Sequence, residues 1–165
     1  MSRVKLDQQL LPSVMDRLLD ANPDAQQDAP KARGQHLAEL RRSIRRDLEA
    51  LLNSRRRCQS WPKDLDQLDK SLIAYGVEDF ASLNFGTDAQ REDFCSELEQ
   101  VIRRNEPRFV SVSVTTSEGS DPIDRTMRFR IEAMMYADPA PEPVVFDSFL
   151  DPAGREIKIV NTSDG

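Results

Sequence analysis

The chain has 165 residues, enough for one domain with a real core. Its formal net charge is -6 and its pI about 4.9, which argues against nonspecific nucleic-acid binding. Charged residues make up 32% of the chain, mean hydropathy is -0.60, and no apolar run approaches the ~20 residues that cross a bilayer, so direct membrane insertion is not expected.

The first nine residues carry no apolar core of the secretory kind. Residues Gln8 to Asp20 place Leu10, Leu11, Val14, Met15, Leu18 and Leu19 in an amphipathic pattern, short enough to need a surface to lie on. Pro23 and Pro30, among Ala, Gln and Asp from Asn22 to Lys31, mark a flexible linker. Residues 1–33 are thus expected to form an arm and linker, and 34–165 the domain.

The longest predicted helix runs from Gln35 to Asn53, with Leu37, Leu40, Ile44, Leu48, Leu51 and Leu52 as its apolar stripe. Between Arg33 and Arg57 eight arginines face only Glu39, Asp47 and Glu49, a local charge of +5. One reading is a solvated face with internal pairs such as Arg45 with Glu49. The other is a basic surface for an acidic partner protein, since arginine favours bidentate contacts. After Trp61-Pro62, Leu68, Leu72, Ile73 and Tyr75 predict a short helix that Gly76 stops in a left-handed conformation. Thr87 and Gln90 form a capping-box pattern opening a helix through Arg104, carrying Phe94, Leu98, Val101 and Ile102.

The order of the chain turns at Asn105-Glu106-Pro107-Arg108-Phe109. Pro107 has no N–H and pushes Glu106 out of the α region, so a helix ends and a strand begins. Glu106 then lies at the carbonyl end of a helix, where a carboxylate wants a cation, and Arg108 is nearest in sequence. The two either pair at an element boundary or face a partner. Strands are predicted over Phe109–Thr116 and Met127–Tyr136, the second with Met127, Phe129, Ile131, Ala133 and Met135 on one side. Three prolines between Asp138 and Pro143 are expected to break any sheet. Val144–Leu150 and Glu156–Val160 close the chain as a hairpin around Asp151-Pro152-Ala153-Gly154. Helices first and strands later predict an α+β fold, the helices packed on one face of an antiparallel or mixed sheet.

His36 is the only histidine, and there is no phosphate loop or metal-type spacing, so no catalytic residue, metal or cofactor is expected. Cys58 and Cys95 read as reduced thiols of a cytosolic protein.

The segments Arg46-Asp47-Leu48-Glu49-Ala50-Leu51-Leu52-Asn53-Ser54-Arg55-Arg56, Ser71 to Asp79 and Glu106-Pro107-Arg108-Phe109 resemble the TssE family. These are baseplate subunits of the type VI secretion system, related to the wedge protein of contractile phage tails. The resemblance runs from about Leu37 to the last hairpin, where Val145-Phe146-Asp147-Ser148 also fits, and leaves the arm outside. It implies a cytoplasmic structural part, docked at the inner face of the membrane complex, that joins the wedge core to the contractile sheath. The implied partners are wedge subunits of the TssF, TssG and TssK type and sheath subunits of the TssB and TssC type. Carried over, Glu106, Pro107 and Arg108 would contact the wedge core, with Arg46, Asp47, Asn53 and Arg55 in the same motifs. The terminal strands would offer a sheath strand an edge at Lys158 and Ile159, a β-augmentation mode. Some relatives carry the label "lysozyme-like", so the alternative is a peptidoglycan hydrolase. An arginine beside Glu106 works against the raised pKa that a general acid needs.

Overall fold

The computed structural model describes residues 14–18, 33–57, 60–62, 64–80, 85–117, 126–137, 140–151, 154 and 156–161. The expected linker, Cys58, the connection around Gly119 and Asp121, and the Pro152-Ala153 turn lie outside these residues. Among the described residues three α-helices come first: α1 (Val14–Leu18), α2 (Arg33–Asn53) and α3 (Asp88–Asn105). Four strands follow: β1 (Phe109–Thr116), β2 (Met127–Met135), β3 (Glu142–Asp151) and β4 (Glu156–Asn161). They form one antiparallel meander in the order β1-β2-β3-β4. The α+β expectation holds: α3 packs beside β1, α2 beside β4, and their apolar faces meet one face of the sheet.

The core follows the two periodicities of the sequence. Leu40, Ile44, Leu48, Leu51 and Leu52 of α2 are buried, as are Phe94, Leu98, Val101 and Ile102 of α3. On β2 all five expected residues, Met127 to Met135 in steps of two, are buried. Phe94 anchors the middle, edge-on to Phe80, Phe85 and Phe129 at centroid distances of 6.0, 5.1 and 6.4 Å. The start of α3 is as expected: the Thr87 hydroxyl accepts from the Gln90 N–H, and the Gln90 side chain from the Thr87 N–H, both at 3.3 Å.

Two expectations fail, each for a local reason. The short helix before Gly76 is instead two 3-10 turns, Asp66–Lys70 and Leu72–Ala74. Ser71 separates them: it is extended at φ -95°, ψ 169°, and its hydroxyl donates to Leu68 O while accepting from Ile73 N. Leu72 and Ile73 are left exposed, so no apolar face holds a longer helix together. Gly76 is nonetheless left-handed, at φ 102°, and a Cβ there would lie 2.4 Å from Ser54 O. That close approach lets Val77 bridge the end of α2, donating to Ser54 O at 2.9 Å and accepting from Arg56 N at 2.8 Å.

The second failure is Pro143, which lies inside β3 opposite Met134 rather than breaking the sheet. Residues of β3 with outward side chains direct their N–H toward β4, and among the described residues that pairing runs to Phe146 with Asn161. Pro143 stands beyond it, so its missing N–H interrupts no ladder bond among the described residues.

Candidate functional site

The helix-to-strand junction is where the charges converge. Glu106 ends α3, its N–H donating to Ile102 O at 2.8 Å, and leaves the helical region at φ -113°, ψ 87°. Pro107 is exposed at the turn, and Arg108 leads into β1, its carbonyl accepting from Tyr136 N at 2.8 Å. The Glu106 side chain is buried, at 6% exposure, and grips Arg108 with both oxygens. Oε1 accepts from the Arg108 Nε at 2.6 Å and its backbone N–H at 3.1 Å, and Oε2 accepts from Nη2 at 2.5 Å. The same guanidinium reaches α2, donating to Asp47 Oδ2 at 2.7 Å and to Ser43 Oγ at 3.3 Å. Burial opposes the charge on Arg108. The hydrogen bonds and charges of Glu106, then Asp47, outweigh it and hold the guanidinium above its ordinary pKa.

Beside this network lies a cleft of about 360 Å³. Leu48, Leu51 and Tyr75 supply its apolar lining, and Asp47, Glu106 and Arg108 its polar side. Burial, then the charges of Asp47 and Glu106, push the Tyr75 phenol above its usual value. The arrangement is suited to holding a partner side chain with an apolar stem and a polar end.

Arg46 joins the junction through Asp47 at 3.0 Å, and the remaining candidate residues fall into two other places. Arg55 stacks its guanidinium 3.8 Å from the Phe80 ring centroid and lies 3.7 Å from Asp79, on the bridge to Val77. Asn53 is at the sheet edge. Its amide accepts from Ile157 N and donates to Ile157 O, both at 2.8 Å, the pair of bonds that a neighbouring strand would make. One turn back, Glu49 accepts from the Ile159 N–H at 3.3 Å, in place of the expected pairing with Arg45. The spacing explains the match: four helical residues rise roughly 6 Å, two strand residues about 6.6 Å. Ile159 is therefore buried with its outward N–H accepted by Glu49, while exposed Lys158 belongs to the ladder opposite Phe149. The other edge is treated alike: on β1, Val114 N donates to Glu99 and Val112 O accepts from Arg103, both from α3.

Sequence reasoning did not single out Ser43, Asp16, Tyr75 or Glu49. A signal for Ser43 was present, since Leu40, Ser43, Ile44, Asp47, Leu48 and Leu51 share one side of a helix and two of them are polar. It also missed Glu97. Burial, then the nearby Glu78 charge, raises the Glu97 pKa, although the backbone of Glu78 and the charge of Arg56 pull the other way. A carboxyl whose folded pKa is raised costs nothing while protonated in both states. It lowers stability as pH climbs above the unfolded value, and fully so above the folded one. Glu97→Gln is thus expected to raise the melting temperature near about pH 8 and to leave it unchanged near about pH 3. An equal gain at both pH values would show that charge is not the cause. Glu97 does not line the cleft.

Cys95 is buried as a free thiol, pushed up to about 11 by burial and then by Glu92. No helix among the described residues is long and apolar enough to cross a membrane.

The helix-backed sheet, both edges capped by side chains, and the ion-paired junction beside a cleft define an α+β building block with a polar cleft. Over residues 38–140 the sequence matches the family of baseplate wedge protein gp25, and the chain belongs to that family, in which the TssE proteins fall. Membership gives it a structural role in a phage-tail-like baseplate, among other baseplate proteins. The matched span holds most of α2, all of α3, the junction, β1 and β2, and stops before β3; α1 lies ahead of it. A comparison with curated proteins gives no match.

Proposed function

We propose that this protein is a non-catalytic adaptor of a type VI secretion baseplate, joining the wedge core to the contractile sheath in the cytoplasm. The observation that carries the reading is Glu106-Pro107-Arg108, inside the family span, forming the polar side of an open cleft with Asp47 of α2. Wedge subunits of the TssF, TssG and TssK type would meet the protein there. Sheath subunits of the TssB and TssC type would add a strand to the outer edge of β4, replacing the side-chain bonds of Asn53 and Glu49 with backbone ones. The arm of residues 1–33 stays separable from the domain of 34–165.

Co-purification tests this. The full chain is expected to retain purified wedge core subunits, and to retain sheath subunits independently of them. It should not clear suspended cell walls in a turbidity assay at any pH. Failure to retain either set, or clearing lost on Glu106→Gln, would sink the adaptor reading in favour of the hydrolase.

A further inference from the structure

One side of the junction network is already occupied by the chain itself. Asp16 of α1 reaches α2 across 27 residues of sequence, its Oδ2 accepting from the Ser43 hydroxyl at 2.5 Å. Its Oδ1 accepts from Arg46 Nη2 at 2.8 Å, and Arg46 also holds Asp47 at 3.0 Å. Ser43 in turn accepts from Arg108 Nη1 at 3.3 Å, so a single hydroxyl links Asp16 to Arg108.

The way α1 sits is unusual for an amphipathic segment. Its Asp16 side chain is covered, at 16% exposure, while Met15 and Leu18 are 58% and 74% exposed. A helix that rests on a domain for good turns its apolar side inward. This one is held by a carboxylate and leaves Met15 and Leu18 in water. One anchor is Arg46, 45% exposed, and ion pairs that wet are weak; the other is the shorter hydrogen bond from Ser43.

We propose that α1 is a displaceable plug. Asp16 fills a carboxylate seat made by Ser43 and Arg46 beside Arg108, and in the assembly an acidic side chain of the neighbouring wedge subunit takes that seat. This rests on the junction being the wedge interface. The chemistry of the seat selects the partner. Two donors converge on it, the Ser43 O–H and the Arg46 N–H, and a cationic side chain would meet two guanidiniums. Arg46 binds the seat directly and Arg108 reaches it through Ser43, so an anion is preferred there over a cation. Ser43 is 7% exposed, so a carboxylate there accepts a hydrogen bond that little water reaches. An acidic partner side chain meets both donors at once.

The test uses the full chain and purified wedge core subunits. If the plug occupies the seat in most free molecules, apparent affinity is reduced by the fraction that is open. Asp16→Asn is then expected to tighten binding roughly 5–10-fold, and Arg46→Ala, which removes the seat itself, to weaken it. Asp16→Asn binding as the wild type does, or more weakly, while Arg46→Ala still weakens binding, would overturn the plug and leave the interface standing. No change in Asp16→Asn, Ser43→Ala or Arg46→Ala would sink the interface, and the plug with it. Hydrogen exchange on the free chain needs no partner. Asp16→Asn should speed exchange over residues 14–18 and leave 44–53 as they were. Unchanged exchange over 14–18 would show that Asp16 does not hold α1, and would overturn the proposal directly.

Discussion

Arg108→Ala lowers the melting temperature of the protein by roughly 5–10 °C while the domain still folds. The reason is the company Arg108 keeps. Glu106 has both oxygens on that one side chain and is only 6% exposed. Truncating Arg108 leaves a buried carboxylate with no cation, and breaking a buried pair in this way costs about 3–5 kcal/mol. Arg108 and Asp47 keep 20% and 33% of their side-chain exposure, so water relieves part of that penalty and roughly 2–3 kcal/mol remains. Arg108→Lys should recover little, since a point charge cannot hold Glu106 with two nitrogens and Asp47 with a third contact. Adding Glu106→Gln to Arg108→Ala should recover part of the loss by removing the stranded charge. Melting of the three variants decides it. A shift of less than about 1 °C for Arg108→Ala would mean that the pair contributes nothing to the fold and that any assembly defect is an interface effect alone. The buried Glu106 adds a stability cost, so binding must be compared at a temperature where both proteins are fully folded.

Proline at 158 and at 159 should have opposite consequences. The N–H groups of β4 residues with outward side chains point into the ladder, so Lys158→Pro removes a bond to β3 opposite Phe149 and wedges the hairpin open. We expect it to cost about 3 kcal/mol, a lost ladder bond plus an unpaired acceptor, and to expose Ile157 and Ile159. Ile159→Pro instead removes an outward N–H whose present acceptor is Glu49 at 3.3 Å, a smaller loss to the free protein. If a sheath strand pairs with the outer edge of β4, Ile159→Pro is the variant that abolishes sheath recruitment while wedge binding persists. Circular dichroism melts and co-purification with sheath subunits separate the two. Ile159→Pro recruiting sheath normally would show that this edge is not the docking edge. In hydrogen exchange, Ile157 and Ile159 should be protected in the free protein by Asn53 and Glu49. The edge is capped before any partner arrives.

The sequence alone determined the elements and the two faces of the core. Apolar spacing of 3.6 and 2 residues is a local property, and it placed α2, α3 and the buried residues of β2 because burial dominates those segments. Local chemistry likewise decided the Thr87 cap, the left-handed Gly76 and the break at Pro107. The pairing of Glu106 with Arg108 was legible too, being two residues apart. Only the tertiary structure decided what else joins them. Asp47 and Ser43 lie 61 and 65 positions away from Arg108, and Asp16 a further helix beyond, distances at which periodicity says nothing about contact. Pro143 sits in a strand at a position where its missing N–H faces away from β2, beyond the described pairing with β4. Whether an edge is free depends on which helix lies alongside, and Asn53 and Glu49 reach β4 because α2 packs there in register, 104 and 110 residues before the amides they bind. Side-chain patterns record which way a residue faces; which partner it meets is set by how the elements pack.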